Sequence, residues 1–261
     1  MRASISSINY CPVKSVSFQS INFCEIKKNI GIVGDRIFAF SIGLNLEQVK
    51  LFEKNSDERR GKWNKILTLK NSPVMNKYNF LIKDNELIFM AKNEKILKIN
   101  IDKFDKYDLV SNKILELENS IQKPIFLMKN KSLPFFDTSI SNKTLLSHSI
   151  SLLNIKSIED FQSKINQKIE TQRFRGNLII EGIQAWEERN WIGKIIKINN
   201  ISFKVEKNIP RCVAINLKPN SDDNSLNLLQ SLKKNYNHFD MGVYLTALDD
   251  GIINIGDNIS L

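Results

Sequence analysis

The chemistry that this sequence could perform begins with one cysteine between two apolar runs. Cys212 follows Pro210-Arg211 and precedes Val213-Ala214-Ile215, so it lies at a junction where a thiolate could face a cleft. A thiolate is a nucleophile and a soft metal ligand, and the adjacent guanidinium of Arg211 favours the deprotonated sulfur. A lone cysteine beside small apolar residues is, however, more often a buried hydrophobic residue. The motif leaves both interpretations open.

A second group of residues could bind an anion where a strand begins. Arg173, Arg175 and Asn177 lie within five residues that precede an apolar run. An arginine fork binds phosphate in bidentate fashion, and an asparagine amide can hydrogen-bond the edge of a heterocycle. The ordinary alternative is a solvated arginine pair at a strand start, which spacing alone favours.

Two further cations lie next to tight turns between short strands. Lys14 and Ser15 follow Pro12, and Arg36 follows Gly34-Asp35. Lys14 and Arg36 could reach one phosphate together. Equally, Asp35 and Arg36 could form a surface salt bridge, which usually contributes little stability.

The charge balance of the chain suggests a polyanion partner only weakly. The 261 residues carry a formal charge of +10, but the stretch from Val213 onward is acidic, and the upstream lysines are scattered among Asn and Ile. Nucleic-acid binding requires basic residues clustered in a patch or stripe. A composition biased toward Lys, Asn and Ile is therefore the preferred explanation, and no nucleic-acid partner is expected.

Cysteine usage and hydropathy bear on the compartment. Cys11, Cys24 and Cys212 are widely spaced and form no Cys-x-x-Cys pair, which argues against a disulfide framework and a zinc knuckle. No apolar run approaches the length of a membrane span, and no apolar signal region follows Met1. These observations predict a cytoplasmic protein without a membrane partner.

Alternation and turn residues predict a strand-rich first half. Strands are expected at Ser4 to Tyr10, Ser17 to Ile26 and Asp35 to Ile42. Leu44 to Lys65 is expected to be a long surface loop with at most a helical turn. Tyr78 to Ile82 and Glu86 to Met90 flank Lys83-Asp84-Asn85, which predicts a hairpin because Asp and Asn tolerate positive φ.

The second half combines helices with further strands. Helical spacing predicts helices within Asp102 to Ile121, Ile155 to Ile169 and Ser225 to Lys234. Strands are expected at Asn177 to Glu181, Ile195 to Val205, Gly242 to Ala247, Ile252-Ile253 and Asn258 to Leu261. The fold class is therefore expected to be β-rich α+β, with domains at residues 1–100 and 101–261 that share an interface.

In this order, these groups resemble the MOSC domain proteins that carry an amino-terminal MOSC_N β-barrel domain. The motifs of the resemblance span nearly the whole chain: Pro12-Val13-Lys14-Ser15, Gly31 to Arg36, Ser149 to Asn154, Arg173 to Asn177, Ala185 to Glu188 with Trp191 and Gly193, Arg211-Cys212, Gly242-Val243-Tyr244 and Gly256-Asp257. Within the family, the sequence resembles bacterial relatives of the mitochondrial amidoxime-reducing component. Gly176 departs from the pattern, because proline is common there.

The resemblance implies a fold, a cofactor and a set of site residues. It implies an amino-terminal β-barrel-like domain packed on a MOSC β-barrel with peripheral helices. The implied cofactor is a molybdenum pyranopterin (Mo-molybdopterin), with Cys212 as thiolate ligand to the metal and Arg211 beside it. Lys14, Ser15 and Arg36 are implied to hold the phosphate, and Arg175 and Asn177 to contact the pterin. A soft thiolate suits molybdenum.

The implied activity is the two-electron reduction of N-hydroxylated or N-oxide compounds. The substrate would be a small molecule, and electrons would come from a separate donor protein of ferredoxin, flavin or cytochrome type. Two alternatives stay open: a sulfur carrier or transferase that works through a Cys212 persulfide, and non-catalytic binding of the cofactor. The pyridoxal-phosphate-dependent desulfurase half of family members that sulfurate the cofactor is not recognised in these residues, which ranks the sulfur-carrier reading lower.

The remaining candidates for chemistry have simpler explanations. His148 and His238 are the only histidines, and His238 could donate a proton near a substrate, although an exposed loop residue is the simpler expectation. Trp186 and Trp191 could stack on a planar ligand, but the family pattern makes them core residues.

Overall fold

The structure, a computed structural model, describes residues 3–59, 61–136 and 149–261. The strands are β1 (Ser4–Tyr10), β2 (Gln19–Ile21), β3 (Phe23–Lys27), β4 (Gly31–Ile32), β5 (Phe38–Phe40), β6 (Tyr78–Lys83), β7 (Glu86–Ala91), β8 (Glu94–Asn100), β9 (Leu127–Lys129), β10 (Ile150–Asn154), β11 (Leu178–Glu181), β12 (Ile195–Ile198), β13 (Ile201–Pro210), β14 (Asp240–Ala247), β15 (Gly251–Asn254) and β16 (Ile259–Ser260). The α-helices are α1 (Leu46–Lys54), α2 (Ser56–Arg59), α3 (Tyr107–Leu117), α4 (Ile155–Ile165) and α5 (Leu228–Tyr236). The β-rich α+β class predicted from the sequence is confirmed.

The largest sheet combines strands from both ends of the chain. Its eight strands run in the order β16-β12-β13-β14-β10-β11-β1-β2. The first strand pairs with β11, and the amide of Ile259 donates to the carbonyl of Ala3 at 2.8 Å, beside an isolated bridge between Ser4 and Asn258. The sheet thus curls so that β16 meets β1, but one bridge replaces the complete ladder of a closed barrel.

The remaining strands of the described residues form three smaller sheets. They are β15-β3-β4, β5-β9 and the meander β6-β7-β8. No closed barrel is present among the strands of the described amino-terminal residues, so the barrel-like form expected there is reduced to these small sheets. The division at residue 100 stays a prediction, although β1 and β3 both pair with strands from the second half.

Three apolar clusters hold these layers together. The inner face of the large sheet contributes Ile5, Leu152, Phe203 and Val243 to the first. The second lies among the small sheets and includes the stacked rings of Phe80 and Phe89. The third packs α4 and α5 against the sheet. The cavity described below is lined by residues of the second and third clusters, by a small separate cluster of Ile209, Tyr244 and Phe136, and by neighbouring loop residues.

The segment at Leu44 to Lys65, expected to be a loop, contains α1 and α2. The expectation was wrong, because Asn45 and Gln48 form a capping box at the start of α1. The side chain of Asn45 accepts from the Gln48 amide, and the Gln48 side chain accepts from the Asn45 amide. Val49 and Phe52 are buried one turn apart. No helix of the described residues is long and apolar enough to cross a membrane.

Candidate functional site

One cavity of about 440 Å³ brings together most of the residues singled out from the sequence. It is lined by Lys14, Ser15, Arg36, Arg175, Arg211 and Cys212, which come from distant parts of the chain. Asn177 does not line it. Lys14 and Ser15 follow β1, Arg36 lies between β4 and β5, Arg175 lies three residues before β11, and Arg211 and Cys212 follow β13, so four separate segments of the chain position the site.

The position of Cys212 resolves the two interpretations of its motif. Cys212 lies two residues after the end of β13 and directly precedes a short 3-10 turn at Val213–Asn216. Its thiol is exposed and lines the cavity, whereas Cys11 and Cys24 are buried. Cys212 is therefore the described cysteine that a ligand in this cavity can reach.

Arg211 fixes the backbone on either side of the cavity. Its Nε donates to the carbonyl of Met241 at 2.9 Å, and one terminal nitrogen donates to the carbonyl of Phe174 at 2.8 Å. Burial lowers the pKa of this guanidinium to about 10, so it stays charged at neutral pH. Arg211 thus joins the Cys212 segment to β14 and to the turn before Arg175, and it adds a positive charge to the cavity wall.

Arg36 is held by a buried carboxylate and two aromatic rings. It forms an ion pair with Asp35, and both side chains are largely buried, so the alternative of a surface salt bridge is replaced by an internal one. The guanidinium lies over the rings of Phe18 at 5.0 Å and Phe136 at 4.7 Å. Such cation–π contacts orient the cation without neutralising it.

Arg175 shares the ring of Phe18 with Arg36. Its guanidinium carbon lies 4.7 Å from the ring centroid, and a terminal nitrogen donates to the Val16 carbonyl at 3.0 Å. Burial lowers the pKa of Arg175 from its ordinary value. Arg173, by contrast, is buried against Glu170 and the Asn216 carbonyl. The pair is therefore not the solvated one that spacing favoured.

Three of the cavity residues adopt left-handed backbone. Ser15, Arg36 and Arg175 have φ values of 69°, 53° and 51°, a region that costs free energy for residues with a β-carbon. Most other left-handed positions in the described residues are Gly, Asn or Asp, which tolerate it. Strain of this kind concentrates at binding and catalytic sites, so its position here favours a functional cavity.

Asn177 lies one layer behind the cavity. It is fully buried, its Oδ1 accepts from Ser151, and its Nδ2 donates to the Asn9 carbonyl and to Asp35, each at 3.2 Å. Asp35 in turn holds Arg36. Direct contact of Asn177 with a heterocycle stays a prediction. In the structure, its side-chain amide already forms hydrogen bonds with these protein partners.

Replacing Asn177 by leucine is expected to lower the free energy of unfolding by about 3 kcal/mol, because several buried partners would lose their hydrogen bonds together. Urea unfolding measures this. The matched control is Asn235→Leu at an exposed position of α5, expected to change stability by less than about 0.5 kcal/mol. Equal losses in the two variants would show that the buried network contributes nothing.

The donor set fits an anionic cofactor that brings most of its own metal ligands. Five cations line the cavity, Lys14, Arg36, Lys70, Arg175 and Arg211, and no carboxylate is among the described lining residues. The described part of the chain also contains no cluster of three His, Cys, Asp or Glu that could hold a metal ion. One soft sulfur ligand beside cations that could bind phosphate fits a metal carried on an anionic organic ligand.

A second cavity of about 400 Å³ shares Arg175 and Ala214 with the first. Its wall combines neutral polar residues, including Ser17, Asn76 and Gln172, with cations and the carboxylate of Glu170. Arg175 therefore separates a cationic cavity that contains the thiol from a polar one.

The other sequence candidates lie elsewhere. His238 packs against the rings of Trp186 and Tyr236 and does not line the cavity, and Trp191 is a core residue, as expected. Trp186 donates to Asp160 at 2.8 Å. His148 lies outside the described residues.

Sequence reasoning did not single out several residues in or beside the cavity wall. Phe18 and Phe136 hold Arg36 but carry no local motif, since the contact joins distant positions. Tyr244 belongs to the Gly242-Val243-Tyr244 motif, but the sequence indicated no role for it. Lys70 belongs to no motif, although it also lines the cavity. For Tyr244, its place in that motif was the available clue.

Comparisons with known proteins place the chain among named relatives. The model of the MOSC domain matches residues 122–260. The molybdenum cofactor sulfurase of Bombyx mori is 35% identical over 92 residues, which is 35% of this chain and 11% of that protein. The mitochondrial amidoxime reducing component 2 of Rattus norvegicus is 28% identical over 72 residues, which is 28% of this chain and 21% of that protein. The matched segments thus span about a tenth and a fifth of these relatives.

Among solved structures, the YuaD protein of Bacillus subtilis covers 99% of this chain and 94% of its own at a TM-score of 0.44 and 9% identity. YiiM from Geobacillus stearothermophilus covers 43% of this chain and 53% of its own at a TM-score of 0.35 and 16% identity. The domain match extends over more than half of the sequence and includes Arg175, Asn177, Arg211 and Cys212. The chain belongs to the MOSC domain family.

Proposed function

We propose that this protein binds a molybdenum pyranopterin and reduces small N-hydroxylated or N-oxide compounds by two-electron transfer. The observation that carries the proposal is the exposed thiol of Cys212 in a cavity lined by five cations. The similarity to a protein named mitochondrial amidoxime reducing component 2 supports the reaction class.

The residues that the family resemblance singles out each have a part in this proposal. Cys212 is the protein ligand to molybdenum, Lys14, Ser15 and Arg36 bind the phosphate, and Arg175 faces the pterin. Arg211 and Asn177 hold these groups in place through the buried hydrogen bonds described above. When bound, the cofactor supplies a centre that cycles between two oxidation states. The protein contributes position and positive charge.

The electrons are proposed to come from a separate donor protein of ferredoxin, flavin or cytochrome type. The described residues contain no second group of cysteines that could hold an iron–sulfur cluster, since Cys11 and Cys24 are separately buried. A small-molecule reductant can replace the donor in an assay.

A sulfur-transfer function is the second candidate. It is favoured by the 35% identity to a molybdenum cofactor sulfurase and by the accessibility of Cys212, which could carry a persulfide. Incubation with a cysteine desulfurase and cysteine, followed by mass spectrometry of the intact protein, tests it. Absence of the added sulfur on Cys212 would remove this candidate, and non-catalytic cofactor binding would remain the alternative to reduction.

The reductase proposal is tested with protein purified from a host that makes the cofactor. The loaded protein is reduced with a viologen dye and offered amidoximes, hydroxylamines and N-oxides, and each product is measured by chromatography. Turnover of at least one class is expected. A molybdenum-loaded protein that leaves every class unchanged would contradict the proposal and favour cofactor binding alone.

A further inference from the structure

Reduction of an N–O bond requires protons as well as electrons. The balanced reaction of a hydroxylamine is R–NH–OH plus two electrons and two protons, giving R–NH2 and water. The N–O bond breaks, nitrogen is reduced, and the donor protein is oxidised by two electrons. Hydroxide is a poor leaving group, so a positioned acid that protonates the departing oxygen accelerates the reaction.

The described cavity wall offers few groups for this role. It contains no carboxylic acid and no imidazole, His238 packs elsewhere, and its acids besides hydroxyl groups are the ammonium groups of Lys14 and Lys70 and the thiol of Cys212. The phenol of Tyr244 lines the same cavity as Cys212. A phenol is a stronger acid than the serine and threonine hydroxyls of the wall.

The sheet directs Tyr244 toward the cavity. Tyr244 of β14 stands opposite Ser151 of β10, and cross-strand partners point to the same face of a sheet. Both residues line the cavity. The neighbouring β14 residues Val243 and Leu245 point to the opposite face, into the main core. The register of the sheet thus sets the direction of the phenol.

Two apolar neighbours fix the ring. Tyr244 is 6% exposed and forms a small cluster with Ile209 and Phe136 that is separate from the main cores. The Phe136 ring meets it edge to face, with centroids 6.0 Å apart. A ring held in this way keeps its hydroxyl in one place, as efficient proton transfer requires.

A cation next to the metal-ligand candidate lines the same cavity as the phenol. This cation is Arg211, the residue before Cys212. A phenolate left after proton donation would be stabilised by this guanidinium. The phenol of Tyr244 and the thiol of Cys212 thus lie in one cavity.

We propose that Tyr244 is the catalytic acid that protonates the departing oxygen of the substrate. The inference rests on the proposed reductase function. The phenol O–H breaks, its proton joins the hydroxide leaving from nitrogen, and water is released. The second proton reaches nitrogen from solvent, and solvent reprotonates the phenolate.

The test compares Tyr244→Phe with Tyr236→Phe in the molybdenum-loaded protein. Tyr236 donates to Asp160 at 2.7 Å and does not line the cavity, so it controls for loss of a phenol. We expect kcat for benzamidoxime to fall about 100-fold in Tyr244→Phe and by less than about twofold in Tyr236→Phe. Calorimetric affinity of the unreduced protein for benzamidoxime, measured without an electron donor, should stay within about threefold of wild type in both.

Rescue by an added acid separates proton donation from a structural role. At fixed pH and ionic strength, kcat of Tyr244→Phe should rise with the concentration of imidazolium, while wild type and Tyr236→Phe should not respond. A wild-type kcat in Tyr244→Phe would overturn the assignment. A fall in kcat that is matched by a fall in affinity for benzamidoxime, and that imidazolium does not rescue, would also overturn it. An inactive loaded wild type would instead overturn the proposed function, and this assignment with it.

Discussion

Replacing Cys212 by alanine is expected to lower the reduction rate more than about 100-fold while leaving the fold intact. Removing outer-shell partners of a metal ligand already costs 10–100-fold in affinity or activity, so loss of the ligand should cost more. Cys212 is exposed, so the free energy of unfolding should change by less than about 0.5 kcal/mol. Steady-state rates with reduced viologen and urea unfolding measure the two effects.

Cys24→Ala provides the matched control. Cys24 is buried, and burial raises the pKa of its thiol to about 12, so it has no part in thiolate chemistry at neutral pH. This variant should lose about 1 kcal/mol of stability and keep its rate per folded molecule. If Cys212→Ala kept the wild-type rate, the assignment of the thiolate would be wrong.

The second large effect concerns Gly242 on β14. Gly242→Ala is expected to lower the free energy of unfolding by about 4 kcal/mol, from left-handed strain and overpacking together. Its φ is +78°, and a β-carbon there would overlap the Leu152 carbonyl oxygen and the Leu153 side chain. Because the Leu152 atom is backbone of the neighbouring strand, a rotamer change cannot relieve the overlap. Thermal and urea unfolding measure the loss.

Gly193→Ala separates the strain from the overlap. Gly193 has φ of +82° but no atom within 4 Å of the added carbon, so strain alone should cost about 1–2 kcal/mol. A loss at Gly242 no larger than at Gly193 would mean that β10 and β14 can separate at little cost. The close approach of these strands would then contribute little to the stability of the fold.

Local patterns predicted the elements whose signals are short-range. Ser4–Tyr10 was predicted at both ends, because alternation and Pro12 define it. The hairpin of β6 and β7 was predicted because Asp84 and Asn85 accept φ of 50° and 60°. Helix α4 followed from the spacing of its apolar residues, of which Ile158 and Phe161 are buried.

Local sequence patterns did not predict the elements whose limits depend on a single turn residue or on strand pairing. The run Ile195 to Val205 was expected to be one strand, but it is β12 and part of β13, separated by a turn at Asn199 with φ of 54°. Strand β8 was missed because its lysines obscure the alternation, and pairing with β7 defines it.

The candidate site was predictable as a set of residues but not as a geometry. The ordered motifs pointed to Lys14, Ser15, Arg36, Arg175 and Cys212, and the fold gathers them in one cavity. The sequence contained no sign that rings distant along the chain would hold Arg36. The buried network of Asn177 was equally hidden, because its partners follow from the pairing of β1, β10 and β11.

The most direct test of cofactor ligation by Cys212 is the molybdenum-to-protein ratio, measured by elemental mass spectrometry on wild type and Cys212→Ala from a host that makes the cofactor. Pterin fluorescence is recorded on the same samples. Near-stoichiometric molybdenum in wild type and marked loss in the variant are the expected results. A wild type that contains neither molybdenum nor pterin would contradict the proposal and leave the persulfide-carrier function as the better explanation of the exposed thiol.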